Sequence, residues 1–335
     1  MTQPRMTSIR VRNLSKSYGP VQALRDVSFE VKAAEIFGLI GPDGAGKTTL
    51  FRILATLLLP DAGTVSVDLP PASHKPEANL PSSRAGFTPA AEGPATVDIV
   101  RDYKLLRQRI GYMPGRFSLY QDLTVEENLE FFASVFGTTI EENYDLIAPI
   151  YVQIEPFKHR RAGALSGGMK QKLALCCALI HKPDFLLLDE PGTGVDPVSR
   201  KEFWDMLRDL RDQGLTMLVS TPNMDEATLC DRVALIQHGQ VLAIDSPQGI
   251  VEGFKSPLLA VRGQDMYRLI KDLRTMPGVA DCYAFGEYAH LKAVSESSCS
   301  PSQVAQFLSD KGHRDIEVMP TPATIEDCFI ELMKS

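Results

Sequence analysis

Residues 41–49 constrain the fold of this 335-residue chain more than any other stretch. They read Gly41-Pro42-Asp43-Gly44-Ala45-Gly46-Lys47-Thr48-Thr49 and follow the apolar run Glu35-Ile-Phe-Gly-Leu-Ile40. Residues 48–59 after them are apolar at helical spacing,. Strand, glycine loop and helix in that order are the context a phosphate-binding P-loop requires. The glycines allow a tight turn, and consecutive N–H groups from Gly44 to Thr48 can wrap a phosphate at a helix N-terminus. Lys47 is placed to neutralise β- and γ-phosphates, and Thr48 to offer its hydroxyl to Mg²⁺.

A second strand, Phe185-Leu-Leu-Leu-Asp189-Glu190-Pro191, ends in two carboxylates. Asp189 emerges beside the P-loop, where it can hold Mg²⁺ through water. Glu190 points elsewhere, as a general base for an attacking water would. Leu165-Ser166-Gly167-Gly168, followed by residues 169–180, reads as a glycine turn opening an amphipathic helix, which is another anion site,. One nucleotide does not need two anion cradles from one chain. Two chains packed head to tail use both, the Ser166-Gly167-Gly168 turn of each closing over phosphates held by the other.

These motifs, in this order, resemble the nucleotide-binding subunit of an ATP-binding-cassette (ABC) transporter over roughly residues 8–253. The resemblance implies an α/β fold: a P-loop NTPase (ABC ATPase) core with a helical subdomain and a small α+β C-terminal domain. It implies ATP and Mg²⁺ as ligands. Tyr18, in Lys16-Ser-Tyr-Gly19, falls where the family has its adenine-stacking aromatic, and Asp196, in Gly194-Val-Asp196-Pro197, falls in the loop that crosses the dimer seam. The wording of the motifs resembles ATPase subunits of ABC-2-type exporters, including drug-efflux systems. Residues 322–329 are similar to the end of their accessory domain. The partners so implied are membrane permease subunits and a second ATPase subunit.

The chain departs from that family at two positions. A glutamine expected after Tyr112-Met-Pro is replaced by Gly115. A histidine expected after Ser220-Thr221 is replaced by Pro222, and none of the six histidines falls there. Loss of one transition-state donor lowers rates by about 10²–10³. ATP binding should persist, because Lys47 and its loop are intact. The expectation is therefore an asymmetric heterodimer in which this chain's own pocket hydrolyses slowly while its Ser166–Gly168 turn completes a fully equipped partner pocket. A homodimer working through Glu190, or a regulatory ATP clamp with little turnover, remain as alternatives. ABC-type ATPases of DNA repair and of translation fit less well, since they carry a long coiled-coil insertion or two cassettes per chain.

The organisation expected is a nucleotide-binding domain over 6–253 and an accessory domain over 255–335. The first contains a flexible insertion at 69–96, rich in proline and poor in large apolar residues, and a helical subdomain at about 116–172,. Phe117, Leu119 and Tyr120 either accept a membrane subunit's helix or pack internally. Strand, helix, strand, strand, helix, strand is the order expected after residue 255. A net charge of −7 argues against a nucleic-acid partner,. No apolar run reaches the ~18–20 residues that cross a bilayer. The expectation is a cytoplasmic protein, peripheral on the inner face of the cell membrane. Six cysteines without metal or redox spacing should be reduced and mostly buried,.

Overall fold

The structure is a computed structural model and describes residues 7–70, 95–115, 119–295 and 298–334. The chain divides into two compact units, Met1–Pro247 and Gln248–Ser335.

The first unit opens with two long strands, β1 (Ser8–Tyr18) and β2 (Val21–Val31). They pair as an antiparallel hairpin interrupted by register shifts. β3 (Ile36–Ile40) is buried along its whole length, as its unbroken apolar composition demands,. Helix α1 (Lys47–Leu54) follows the glycine loop and ends five residues before the expected Leu59, where Thr56 takes a left-handed φ of 59°. β4 (Ala62–Leu69) and β5 (Ala95–Asp98) complete an antiparallel sheet in the order β2-β1-β4-β5. Leu69 pairs with Ala95, so the two ends of the proline-rich insertion adjoin. Residues 71–94 of that insertion lie outside the described residues.

The chain continues through α2 (Tyr103–Leu106), β6 (Ile110–Met113), α3 (Val125–Val135), α4 (Tyr144–Tyr151) and α5 (Gly167–Leu179). Thr124 and Glu127 form a reciprocal capping box at the start of α3,. Then come β7 (Phe185–Asp189), α6 (Pro197–Asp212), β8 (Thr216–Thr221), β9 (Arg232–Gln237) and β10 (Gln240–Asp245). The central sheet has the order β10-β9-β3-β8-β7-β6 and is parallel except for β10. Leu50, Phe51, Ile53 and Leu54 of α1 are buried in one core with residues of both sheets. Each such side chain contributes about 1.5–3 kcal/mol, which fixes the helix that begins at Lys47.

Helix α5 is not the amphipathic helix expected. Leu173, Leu175, Cys176, Cys177, Ala178 and Leu179 are all buried, because α3, α4, α6 and β6 surround it. Leu119 is also buried, which favours the internal-packing alternative for it, whereas Tyr120 is exposed and meets Phe131 edge-on. Phe117 lies outside the described residues.

The second unit contains most of α7 (Pro247–Glu252), then β11 (Leu258–Arg262), α8 (Met266–Leu273), β12 (Val279–Phe285), β13 (Tyr288–Ala293), α9 (Pro301–Asp310), β14 (Glu317–Pro320) and α10 (Ile325–Leu332). The sheet order β12-β13-β11-β14 with two crossing helices is a ferredoxin-like βαββαβ unit,. All six cysteines are free and buried. Among the described residues no helix is long and apolar enough to cross a membrane.

Candidate nucleotide site

The sheet carries β3, β8 and β7 side by side, so the loops leaving their C-terminal ends meet. The loop after β3 turns through Gly44 and Gly46, with φ of 78° and 104°. A Cβ on Gly46 would lie 2.4 Å from the Ala23 carbonyl oxygen, so no other residue passes here,. The turn borders a cavity of about 430 Å³ lined by Tyr18, Arg25, Gly44, Gly46, Lys47 and Glu190, among others. Thr48 and Thr49 line it too, whereas Gly41, Pro42, Asp43 and Ala45 do not, and Asp43 is exposed.

Lys47 is buried, and its Nζ donates to the carbonyls of Gly41 (2.8 Å) and Pro42 (3.0 Å). Its third contact is an ion pair with Glu190 Oε1 at 3.1 Å. An ammonium has three N–H bonds, so its capacity is full. Asp189 is buried at the end of β7, which raises its carboxyl pKa; hydrogen bonds from Ser220 and Thr48 act in the opposite direction. Its Oδ1 accepts from Ser220 Oγ at 2.6 Å and faces Thr48 Oγ1 at 3.4 Å. Glu190 follows with a left-handed φ of 52°. Its N–H is shared between the carbonyl oxygen (3.1 Å) and the Oγ (3.0 Å) of Ser220. One serine thus fixes both acidic residues.

The hydroxyl of Thr48 and the carboxylate of Asp189 are hard oxygen donors. Mg²⁺ takes one or two such protein ligands and fills the rest with phosphate and water. Among the described residues no cluster of three or more His, Cys, Asp or Glu side chains offers an all-protein metal cage. The donor set therefore fits Mg²⁺ bound together with a nucleotide.

The Ser166–Gly168 turn is not brought to the Lys47 cavity. Gly167 lines a second cavity, of about 210 Å³, with Gly115, Gln171, Glu190 and Val195. Ser166 Oγ accepts the Met169 N–H at 3.3 Å and so caps α5,. Gly115 sits against the acidic strand end, and a Cβ there would lie 2.9 Å from the Asp189 carbonyl oxygen. Pro222 lines neither cavity. Asp196 is exposed and caps α6, accepting from the N–H groups of Val198 (3.1 Å) and Ser199 (2.9 Å). Those bonds, the Ser199 N–H first, hold its carboxyl below the usual range.

Sequence reasoning missed Ser220, Arg25 and His238 at this site. Ser220 is an ordinary strand residue by composition, and Arg25 and His238 reach the cavity only because β2 and the β9–β10 turn flank the P-loop. No local pattern signals that proximity.

The fold and this convergence of glycine loop, lysine and paired carboxylates define an ATP-binding cassette ATPase. The family described as "ABC transporter" matches residues 24–193. A probable multidrug ABC transporter ATP-binding protein of Escherichia coli (strain K12) is 35% identical over 315 residues, covering 93% of this chain and 49% of the relative. The chain thus spans about half the length of that relative. A Nod factor export ATP-binding protein I of Burkholderia orbicola (strain AU 1054) is 34% identical over 330 residues, covering 97% of this chain and 96% of the relative. A solved ATP-binding subunit of an ABC transporter superposes with a TM-score of 0.59 at 26% identity, covering 73% of this chain and 92% of that one. A dimeric bacterial ABC transporter cassette gives 0.56 at 23% identity, covering 71% and 98%, and so speaks for the fold alone. The chain belongs to the ABC transporter family.

Proposed function

We propose that this chain is the ATP-hydrolysing subunit of an ABC-2-type exporter. It works at the cytoplasmic face of the membrane on separate permease subunits, with residues 6–253 as the nucleotide-binding domain and 255–335 as an accessory domain. The observation that carries the reading is the split between the two cavities. Tyr18, Gly44, Gly46, Lys47, Thr48 and Glu190 line one cavity, with Asp189 against Thr48, while the Ser166–Gly168 turn lies outside it. A turn built to bind an anion, yet absent from its own chain's phosphate site, fits the phosphates of a second subunit packed head to tail, with Asp196 at the seam.

In this reading Tyr18 stacks on adenine and the N–H groups of Gly44–Thr48 hold the β-phosphate. Lys47 leaves Glu190 to neutralise the β- and γ-phosphates. Thr48 and Asp189 would hold Mg²⁺, which would supply charge neutralisation to the phosphates. Glu190 takes a proton from water as the water oxygen bonds to the γ-phosphorus. The bond from that phosphorus to the bridging oxygen breaks, giving ADP and phosphate. Gly115 and Pro222 supply no polar side chain to this step, so turnover at this site is slow. The partner subunit carries the fully equipped pocket.

Glu190, present and held beside Lys47, supports a second reading: a homodimer that hydrolyses through this residue alone. The experiment is to measure ATP turnover and ATP-dependent association for the purified chain alone and with its second ATPase subunit. Slow turnover alone and fast turnover in the mixed pair support the asymmetric reading. Fast turnover by the chain alone supports the homodimer.

A further inference from the structure

Gln171 is the most conspicuous polar side chain that the proposed chemistry leaves unused. It is 6% exposed, and among the described residues neither Oε1 nor Nε2 meets a hydrogen-bond partner. Burying an amide this way costs about 1–3 kcal/mol per stranded group. In native proteins such a group is usually satisfied by an ordered water. Gln171 lines the cavity of about 210 Å³, far above the ~10–15 Å³ that one water needs,. Glu190 lines the same cavity and also the Lys47 cavity, so it forms the wall between them. Gly115 lines the same cavity and has no side chain and no room for one beside the Asp189 carbonyl. Among the described residues, Gln171 of α5 is the buried amide without a protein partner that shares this cavity with Glu190.

We propose that Gln171 is a positioning residue for Glu190: its amide anchors water in the second cavity, and that water hydrogen-bonds the Glu190 carboxylate. The water accepts from Gln171 Nε2 or donates to its Oε1, and donates its other proton to Glu190. The carboxylate is thereby kept as an acceptor with a fixed aim. The role rests on the reading of Glu190 as general base. It also gives α5 two duties. Its first residues meet the partner's nucleotide, while Gln171, four residues after Gly167 and so about 6 Å along the helix, steadies this chain's own base.

The test compares the full-length wild type with Gln171→Met, which keeps length and volume without the amide, and Gln171→Asn, which keeps the amide one methylene shorter. Single-turnover hydrolysis with the chain in excess reads the chemical step even when it is slow. Gln171→Met is expected to lower kcat about tenfold, a fraction of the 10²–10⁴ that a general base supplies, with the KM for ATP and the Tm unchanged. Gln171→Asn should recover most of the loss, since water spans the gap. Unchanged kcat in Gln171→Met, or equal losses in kcat, ATP binding and Tm, overturns the positioning role. Glu190→Ala run in parallel separates the two readings: if it leaves turnover intact, the general-base assignment fails instead. A high-resolution crystal structure decides independently of activity. Water within hydrogen-bond distance of both Gln171 and Glu190 supports the inference, and a dry cavity or a direct protein partner for the amide sinks it.

Discussion

Exchanging Glu190 for glutamine should move affinity and stability in opposite directions. The Lys47–Glu190 pair measures 3.1 Å, with side chains 2% and 24% exposed. At an effective dielectric of about 20 the bare attraction is roughly 5 kcal/mol. Desolvation offsets much of that, and charged hydrogen bonds contribute about 1.5–3 kcal/mol net. In the proposed reading the nucleotide phosphates need the same ammonium, so ATP has to break the pair before Lys47 can reach them. Glu190→Gln keeps the shape and drops the charge. At about 2 kcal/mol, ATP affinity should rise roughly 30-fold. The nucleotide-free protein should lose about the same 2 kcal/mol of stability, and hydrolysis should fall by about 10²–10⁴. Calorimetric titration with ATP and urea denaturation without it measure the two sides. Unchanged affinity together with unchanged stability refutes the competition.

Gly115→Gln, which puts back the side chain the family resemblance leads one to expect, should not restore turnover. Its Cβ meets the Asp189 carbonyl at 2.9 Å, so denaturant unfolding should record a loss of about 1–3 kcal/mol. Asp327→Ala in the second unit removes a buried carboxylate that takes hydrogen bonds from Tyr283, pairs with His290 at 2.6 Å and completes the Thr324 capping box. Losing the cap costs about 1 kcal/mol and stranding two partners about 1–3 kcal/mol each, so hydrogen exchange should show early opening within Gln248–Ser335. His181 stacks on Phe136 and bonds to the Ile110 carbonyl, and burial depresses its pKa from 6.5 to about 4. The unfolded chain binds more protons than the folded one across that window, so stability falls as pH drops from 6.5 toward 4 and the loss is complete below it. At 1.36 kcal/mol per unit the loss approaches about 3 kcal/mol, and His181→Phe should flatten urea midpoints measured across this range.

The phosphate loop was legible because its signal is local: glycines at fixed offsets, a lysine, and an apolar strand before them. The βαββαβ unit was legible for a similar reason, since its strands and helices are short, separate and strongly patterned. The antiparallel sheet of β1, β2, β4 and β5 was not. Its pairing joins residues as far apart as Ser8 and Asp68, and β1 contains Asn13, Ser15 and Lys16, which read as a break. Asn128 was equally hidden. It looks like a surface residue of α3, yet it is fully buried and ties down the preceding loop through Tyr120, Leu123 and Thr124. The same limit applies to Lys47 and Glu190. Sequence gave each a role toward the nucleotide, but not the bond they make to each other, which depends on how β3 and β7 flank β8.

That bond bears on how the site can change state. A left-handed φ on a residue with a Cβ stores about 1–3 kcal/mol of strain. At Glu190 the strain is held by the two acceptors of Ser220, which lie on β8 and are buried. Neither acceptor belongs to the P-loop. Drawing Lys47 toward phosphate therefore removes the ion pair and leaves the backbone of Glu190 where it was. The carboxylate is freed by rotation about its own side-chain bonds, without a loop having to refold. Ser220→Ala removes one of the two acceptors and the donor to Asp189 together, so it strikes both acids at once.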